Sequence, residues 1–177
     1  STSGTATEVT AFSVITDYEK GIKYPLADFN ITPDVAIVDS ELVEKLPAHQ
    51  VAYTGMDALT HAIEAYIGRS TTKQTRAASI EAIQLIFDNL QTAYKNGNDK
   101  TARRNMLRAS YLAGTAFTKS YVGYVHAVAH SLGGCYGIPH GLANSVLLPI
   151  VLKAYGTAAH KKLARLARIT GISDSKL

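Results

Sequence analysis

The pattern of hydrophobic and polar positions divides the chain into two parts. The first 45 residues are rich in Thr, Val, Ile and Gly, and short apolar runs predict strands at residues 9–16 and 35–39. Pro25 and Pro33 punctuate the segment between these runs. From Pro47 onward the pattern is helical, and it predicts helices at residues 48–68, 73–95, 101–119, 121–136, 140–155 and 158–170. The breaks fall at Gly68, Gly97, Gly137 to Pro139, and Gly156.

Composition supports a folded chain that buries much of its surface. Apolar residues make up 46% of the 177 residues, and charged residues make up 18%, below the usual level of about 25%. The net charge is +4. Basic residues concentrate in two groups on separate predicted helices, which we interpret as solvent-exposed helix faces. No aromatic side chains interleave with these bases in a nucleic-acid-binding motif, so we expect no nucleic-acid partner.

Cysteine content and hydropathy indicate the compartment. The single cysteine, Cys135, excludes an internal disulfide and fits a reducing compartment. The sequence contains no stretch of 18 apolar residues and no signal peptide pattern, so we expect a cytoplasmic protein without a membrane partner. Cys135 lies close in sequence to several histidines, but a small buried residue is the simpler interpretation.

Four of the six histidines and one aspartate have a spacing that suits a single metal ion. Asp57 and His61 lie four residues apart, and so do His126 and His130, which places each pair on one helix face. His140 follows the break at Gly137 to Pro139 and begins the next predicted helix. Carboxylate oxygen and neutral imidazole nitrogen are ligands of Zn²⁺ and Fe²⁺. The pattern therefore predicts a metal site, although spacing alone does not choose four ligands among the five groups.

Each of these residues also has an ordinary structural interpretation. A buried histidine can be a satisfied core residue, an aspartate can pair with a base, and a histidine at a helix start can act as a cap. Their conjunction favours a metal. The sequence lacks an HExxH motif, which weakens a hydrolase interpretation. A metal-dependent hydrolase or lyase, and a non-catalytic helical module with a structural metal, remain the alternative functions.

Three segments resemble the iron-containing alcohol dehydrogenase family. The stretch AIVDSELVEKLPAHQVAYTGMDALTHAIEAY is similar to the first family signature, and GYVHAVAHSLGGCYGIPHGLAN is similar to the second. STSGTATEVTAFSVITD resembles the TTxGTGSE segment on the cofactor side of the family. These matches run through most of residues 1–152.

The resemblance implies a mainly α chain, in which residues 1–45 end an α/β dinucleotide-binding domain and residues 46–177 form much of a helical metal-binding domain. It implies hydride transfer between a primary alcohol or diol, or the corresponding aldehyde, and NAD(H) or NADP(H). The implied ligands of Fe²⁺ or Zn²⁺ are Asp57, His61, His126 and His140. His130 is implied beside the nicotinamide as the catalytic histidine. Thr2, Thr5 and Lys23 are implied on the cofactor side. We expect a homo-oligomer, a dimer or larger.

Two departures from the family pattern affect the cofactor side. The sequence has GTATE where the family often has GTGSE, so we expect ordinary backbone dihedrals at Ala6. The family's glycine-rich pyrophosphate loop has no counterpart in this sequence. We therefore expect residues 1–177 alone to bind nicotinamide cofactor poorly and to be inactive. Tyr136 and Phe117 are further candidates for a substrate pocket wall, although core packing is the simpler interpretation for both.

Overall fold

A β-hairpin, a bundle of six α-helices and three short 3₁₀ helices make up the regular structure of the computed structural model, which describes residues 2–171. The 3₁₀ helices are Thr7–Val9, Phe29–Ile31 and Ser40–Val43. The predicted mainly α architecture is confirmed. The helices, in chain order, are α1 (Ala48–Ile67), α2 (Lys73–Lys95), α3 (Lys100–Ser120), α4 (Tyr124–Tyr136), α5 (His140–Tyr155) and α6 (Thr157–Ile169). Five of the six bounds agree with the predicted ones to within one residue at each end.

The start of α4 is the exception, because it lies at Tyr124 and not at residue 121. Tyr121 has φ 64° and ψ 176°, a region that side-chain-bearing residues rarely adopt. Its ring contacts that of Phe12 edge-on, with centroids 6.2 Å apart. This conformation ends α3 abruptly and turns the chain into Gly123, from which α4 begins.

The hairpin pairs β1 (Phe12–Asp17) with β2 (Ile22–Ala27) in antiparallel register. The turn between them contains Gly21 at φ 62°, and the Asp17 carboxylate accepts hydrogen bonds from the backbone N–H groups of Glu19 and Lys20. The prediction of a first strand is confirmed with a shifted start, because residues 7–9 form a 3₁₀ turn instead. β2 was missed, since Pro25 weakens a strand pattern, although an edge strand tolerates it.

The predicted strand at residues 35–39 is wrong for the described structure. The segment has no regular secondary structure, and Val35 and Ile37 are 77% and 83% exposed. A β-branched run forms a strand only where a neighbouring strand satisfies its backbone hydrogen bonds, and residues 2–171 provide no such neighbour here.

α1 is the central helix and packs against α2, α3 and α5. Ala58, Ala62 and Ala65 are fully buried on it, and their small side chains allow neighbouring helices to approach closely. The hydrophobic core therefore surrounds α1, whose polar residues 57, 61 and 64 are buried as well. Among the described helices, none alone is both long and apolar enough to cross a membrane; α5 and α6 pass that test only as a pair bent by 119°.

Candidate metal centre

Three helices bring the predicted metal-binding residues together. Asp57 and His61 lie one turn apart on α1, with 3% and 5% of their surfaces exposed. His126 lies in the first turn of α4 and is also buried, while His140 is the first residue of α5. Asp57, His61 and His126 each offer one ligand atom, and these atoms lie within 4.8 Å of one another.

The donor atoms have separations that suit one ion. Asp57 Oδ1 lies 3.9 Å from His61 Nε2, 3.5 Å from His126 Nε2 and 3.4 Å from His140 Nε2. A tetrahedral site with bonds of about 2.1 Å places neighbouring donor atoms about 3.4 Å apart. The donor atoms of Asp57, His61 and His126 form a compact group, and His140 lies beside Asp57 but outside that group, so His140 must move closer to the other two imidazoles for all four to bind one ion.

His126 is oriented by a buried carboxylate that the sequence analysis did not single out. Glu64 Oε2 lies 2.6 Å from His126 Nδ1, so the opposite ring nitrogen, Nε2, faces Asp57. The same carboxylate accepts hydrogen bonds from the backbone N–H groups of Gly123 and Val125. A histidine that binds a metal through one ring nitrogen commonly donates its other N–H to a carboxylate in this way.

His61 is held by ring stacking. Its ring lies between those of Phe117 and His126, with centroid distances of 4.2 and 4.4 Å and interplanar angles of 16° and 15°. Its Nδ1 is buried and has no hydrogen-bond partner among residues 2–171. Packing thus fixes the plane of this imidazole and leaves Nε2 directed toward Asp57.

The start of α5 is pressed against α1, which places His140 at the cluster. A Cβ atom built on Gly141 would lie 2.1 Å from the backbone oxygen of Tyr53. Only glycine permits this approach of the two helices. The His140 side chain remains 31% exposed, so the cluster is accessible on this side.

His130 lies at that accessible side, next to His140. The two ring centroids are 5.0 Å apart, while His130 and His126 are 6.3 Å apart and nearly perpendicular. Lys23 of β2 extends to α4, the helix that carries His130. Its Nζ would lie 3.3 Å from a Cβ atom built on Gly133 of that helix. Burial is the main cause that lowers the pKa values of His130 and His140, and the positive charge of Lys23 lowers both further.

Without a metal, the pKa values of the clustered side chains lie far from their ordinary values. Burial is the main cause that lowers the pKa of His61 to about 3 and that of His130 to about 4. Burial opposes protonation of His126 too, but hydrogen bonds to Asp57 and Glu64 outweigh it and raise the pKa to about 9. For Asp57 and Glu64 themselves, burial raises the pKa, yet the histidines and other donors lower it overall.

Asn144 is a second residue that the sequence analysis missed. It lies one turn after His140 on α5, is fully buried, and directs its amide nitrogen at the donor atoms. Glu64 lies seven residues after Asp57, and Asn144 lies four residues after His140, so helical spacing places both beside predicted ligands. This helical spacing is the feature of the sequence that could have indicated both residues.

Other predicted residues have mixed outcomes. Gly4, between Thr2 and Thr5, packs on Thr54 of α1, one turn before Asp57, and a Cβ atom on it would lie 2.7 Å from the Thr54 side chain. Phe117 is a core residue that contacts His61. Two interpretations were wrong: Cys135 is exposed, and Tyr136, at 76% exposure, does not pack in the core.

The expectation of ordinary backbone dihedrals at Ala6 was also wrong. Ala6 has φ 50° and ψ 34°, in the left-handed region that glycine adopts without steric cost. Its methyl group is fully buried and lies where a side chain on Gly114 of α3 would collide with it. The methyl group thus lies in the core although the backbone is left-handed.

Family comparisons agree with the site geometry. The family model for the C-terminal part of Fe-containing alcohol dehydrogenases matches residues 51–176, and the iron-containing alcohol dehydrogenase model matches residues 1–40. The chain belongs to the iron-containing alcohol dehydrogenase family. The resemblance described from the sequence motifs is thereby confirmed.

Individual members of the iron-containing alcohol dehydrogenase family are similar over nearly the whole chain. An NADPH-dependent butanol dehydrogenase of Clostridium saccharobutylicum is 52% identical over 95% of the chain and 43% of its own length. The crystal structure of a 1,3-propanediol oxidoreductase matches with a TM-score of 0.93 and 45% identity, over 99% of this chain and 46% of that one. Sulfoacetaldehyde reductase from Bifidobacterium kashiwanohense, solved with NAD⁺, has a TM-score of 0.89 and 35% identity, over 96% and 45%. The chain thus spans less than half the length of these relatives.

Proposed function

We propose that the complete protein oxidises a primary alcohol or diol to an aldehyde, and catalyses the reverse reduction, with a divalent metal and NAD(H) or NADP(H). The observation that carries this proposal is the convergence of Asp57, His61, His126 and His140 from three helices, with an Asp57 carboxylate oxygen 3.4–3.9 Å from a nitrogen of each imidazole. The activities named for the similar family members support the redox class over a hydrolase or lyase.

The donor set fits Fe²⁺ or Zn²⁺, because three imidazole nitrogens and one carboxylate oxygen are accepted by both. Asp57, His61, His126 and His140 would hold the ion. When bound, the ion supplies a Lewis acid that polarises an alcohol or carbonyl oxygen. The exposed edge of His140 supports a centre that a substrate can approach, whereas a structural metal site is normally closed by its protein ligands.

Alcohol oxidation releases a hydride and a proton, and the chain offers a group for the proton. A nicotinamide cofactor supplies the hydride acceptor when bound. His130 lies at the accessible edge of the cluster, and its pKa of about 4 keeps it neutral at physiological pH. We assign His130 the role of proton relay beside the cofactor from its position at this edge, since its lowered pKa makes it a weak base that passes a proton on rather than retaining it.

The cofactor side comprises Lys23 and the segment that contains Thr2 and Thr5. Lys23 places a positive charge next to His130 and His140, which suits an anionic cofactor. The segment that contains Gly4 packs on α1 close to Asp57. We assign residues 1–45 to the end of a dinucleotide-binding domain and residues 46–177 to the metal-binding domain, an assignment that the two separate family matches support.

Two measurements on the complete protein test this function. His126→Ala is expected to lose bound metal, measured by plasma mass spectrometry, together with turnover of a panel of short alcohols, measured by absorbance of the reduced nicotinamide. His160→Ala, which removes an exposed histidine of α6, is the control and should change neither. Unchanged metal content in His126→Ala would exclude the ligand assignment. A metal-loaded wild-type protein that reduces neither NAD⁺ nor NADP⁺ with any alcohol would exclude the activity.

A further inference from the structure

The amide group of Asn144 contacts three of the four proposed donor atoms. Its Nδ2 lies 2.7 Å from Asp57 Oδ1, 3.2 Å from His126 Nε2 and 3.2 Å from His140 Nε2. These three partners belong to α1, α4 and α5, respectively. One nitrogen atom of a fully buried side chain therefore lies at the point where three helices meet.

We propose that Asn144 is a positioning residue, whose two amide N–H groups donate to the Asp57 carboxylate and to His140 Nε2 and hold both beside His126 in the arrangement that binds the metal. The inference rests on the proposed metal site and deepens it. An amide nitrogen only donates, so its contact with His140 selects the tautomer whose Nε2 presents a lone pair, whereas His126 must first lose its proton to bind a metal. That lone pair on Nε2 is the one that a metal ligand requires.

The two histidines differ in how far they depend on Asn144. Nδ1 of His126 is already fixed by the Glu64 carboxylate, which selects the same orientation. His140 has a partly exposed side chain at the first position of α5 and lies one turn from Asn144. Asn144 therefore contributes most to the placement of His140 and to the distance between His140 and Asp57.

Packing alone does not explain an asparagine at this position. Its carbonyl oxygen Oδ1 is buried without a hydrogen-bond partner among residues 2–171, which is unfavourable for folding. A leucine of similar size would fill the same space without that cost. The donors on Nδ2 are the feature that leucine lacks, and they point at the metal-binding atoms.

The test uses the complete protein, stripped of metal and titrated with Co²⁺ in competition with a chromophoric chelator. Asn144→Leu is expected to weaken Co²⁺ binding about 10- to 100-fold and to alter the visible spectrum of the bound Co²⁺. Ser145→Ala is the matched control, because the Ser145 hydroxyl donates to the backbone oxygen of Leu142 and not to the cluster. It should keep the wild-type affinity and spectrum.

The outcomes separate this inference from the metal site itself. If the wild-type protein binds no Co²⁺, the proposed site fails and the role of Asn144 fails with it. If the wild-type protein binds Co²⁺ and Asn144→Leu matches it in affinity and spectrum, only the positioning role is overturned. Should circular dichroism show that Asn144→Leu is unfolded, Asn144→Ala removes the same donors without added volume and is judged by the same criteria.

Discussion

Glu64 and His126 join α1 to the start of α4 through a contact of 2.6 Å between Oε2 and Nδ1. Glu64 is 3% exposed and His126 is 2% exposed, so the pair is shielded from solvent. The backbone N–H groups of Gly123 and Val125 donate to the same carboxylate, which makes it the anchor of the first turn of α4. One acidic side chain thus serves helix packing and the orientation of a proposed metal ligand together.

Glu64→Ala is expected to destabilise the protein by about 3–5 kcal/mol, because it removes one partner of a buried pair and leaves the other without its acceptor. Metal affinity should also fall about 10- to 100-fold, because His126 loses its orienting group. Urea unfolding and Co²⁺ titration measure the two effects. Glu81→Ala, which breaks only an exposed ion pair with Arg108, is the control and should stay within about 1 kcal/mol of wild type. A similarly small change in Glu64→Ala would contradict the anchoring role.

Metal affinity is expected to depend on pH through His126. Its pKa of about 9 means that the metal-free protein holds a proton there at neutral pH, and the metal must displace it. Affinity should therefore rise about tenfold per pH unit from pH 6 to 8 and level off near pH 9. His61, with a pKa of about 3, is already neutral over this range and adds no dependence.

Calorimetric titration in two buffers of different ionisation enthalpy measures the proton release, which should be about one per ion near pH 7. Glu64→Gln tests the direction in which the His126 pKa controls metal affinity. It removes a negative charge that favours protonated His126, so the pKa should fall and the plateau should begin at lower pH. Binding that is independent of pH between 6 and 8 would show that His126 is not the competing group.

The helices were predictable from sequence because their apolar periodicity is interrupted by strong local breaks such as Gly137 and Gly156, both of which have positive φ. The start of α4 was not predictable, since nothing local indicates that Tyr121 adopts φ 64°. The segment at residues 35–39 has strand composition, but strand formation depends on a partner that local sequence does not specify.

The site was predictable in part for a related reason. Asp57, His61, His126 and His140 belong to residue types that bind metals, so their spacing predicts a metal site. Glu64 and Asn144 are types that usually face solvent on helices, and only tertiary packing shows that they are buried beside the ligands.

Gly141→Ala is expected to cost more than about 2 kcal/mol and to displace His140, because the added methyl group would meet the Tyr53 backbone oxygen at 2.1 Å. Gly133→Ala, in α4, is the matched control. Its nearest neighbour would be the flexible end of Lys23 at 3.3 Å, and alanine favours the helix by about 1 kcal/mol. Thermal unfolding and Co²⁺ binding compare the two variants. Equal stability of both would mean that α5 can move away from α1 at no cost.

Ala6→Gly is expected to change the free energy of unfolding by less than about 1 kcal/mol, although it removes a fully buried methyl group. Glycine relieves about 1–2 kcal/mol of left-handed strain at φ 50°. This gain is offset by about 0.8 kcal/mol from lost burial and about 0.4–1 kcal/mol from a more flexible unfolded chain.

Ala109→Gly supplies the comparison, because Ala109 is equally buried but lies within α3 at ordinary helical dihedrals. There the lost methyl group and the poor helix propensity of glycine add, and the expected cost is about 2 kcal/mol. Urea unfolding with equal m-values measures both differences. If the two variants lose the same stability, Ala6 carries no backbone strain, and its left-handed conformation is as relaxed as a helical one.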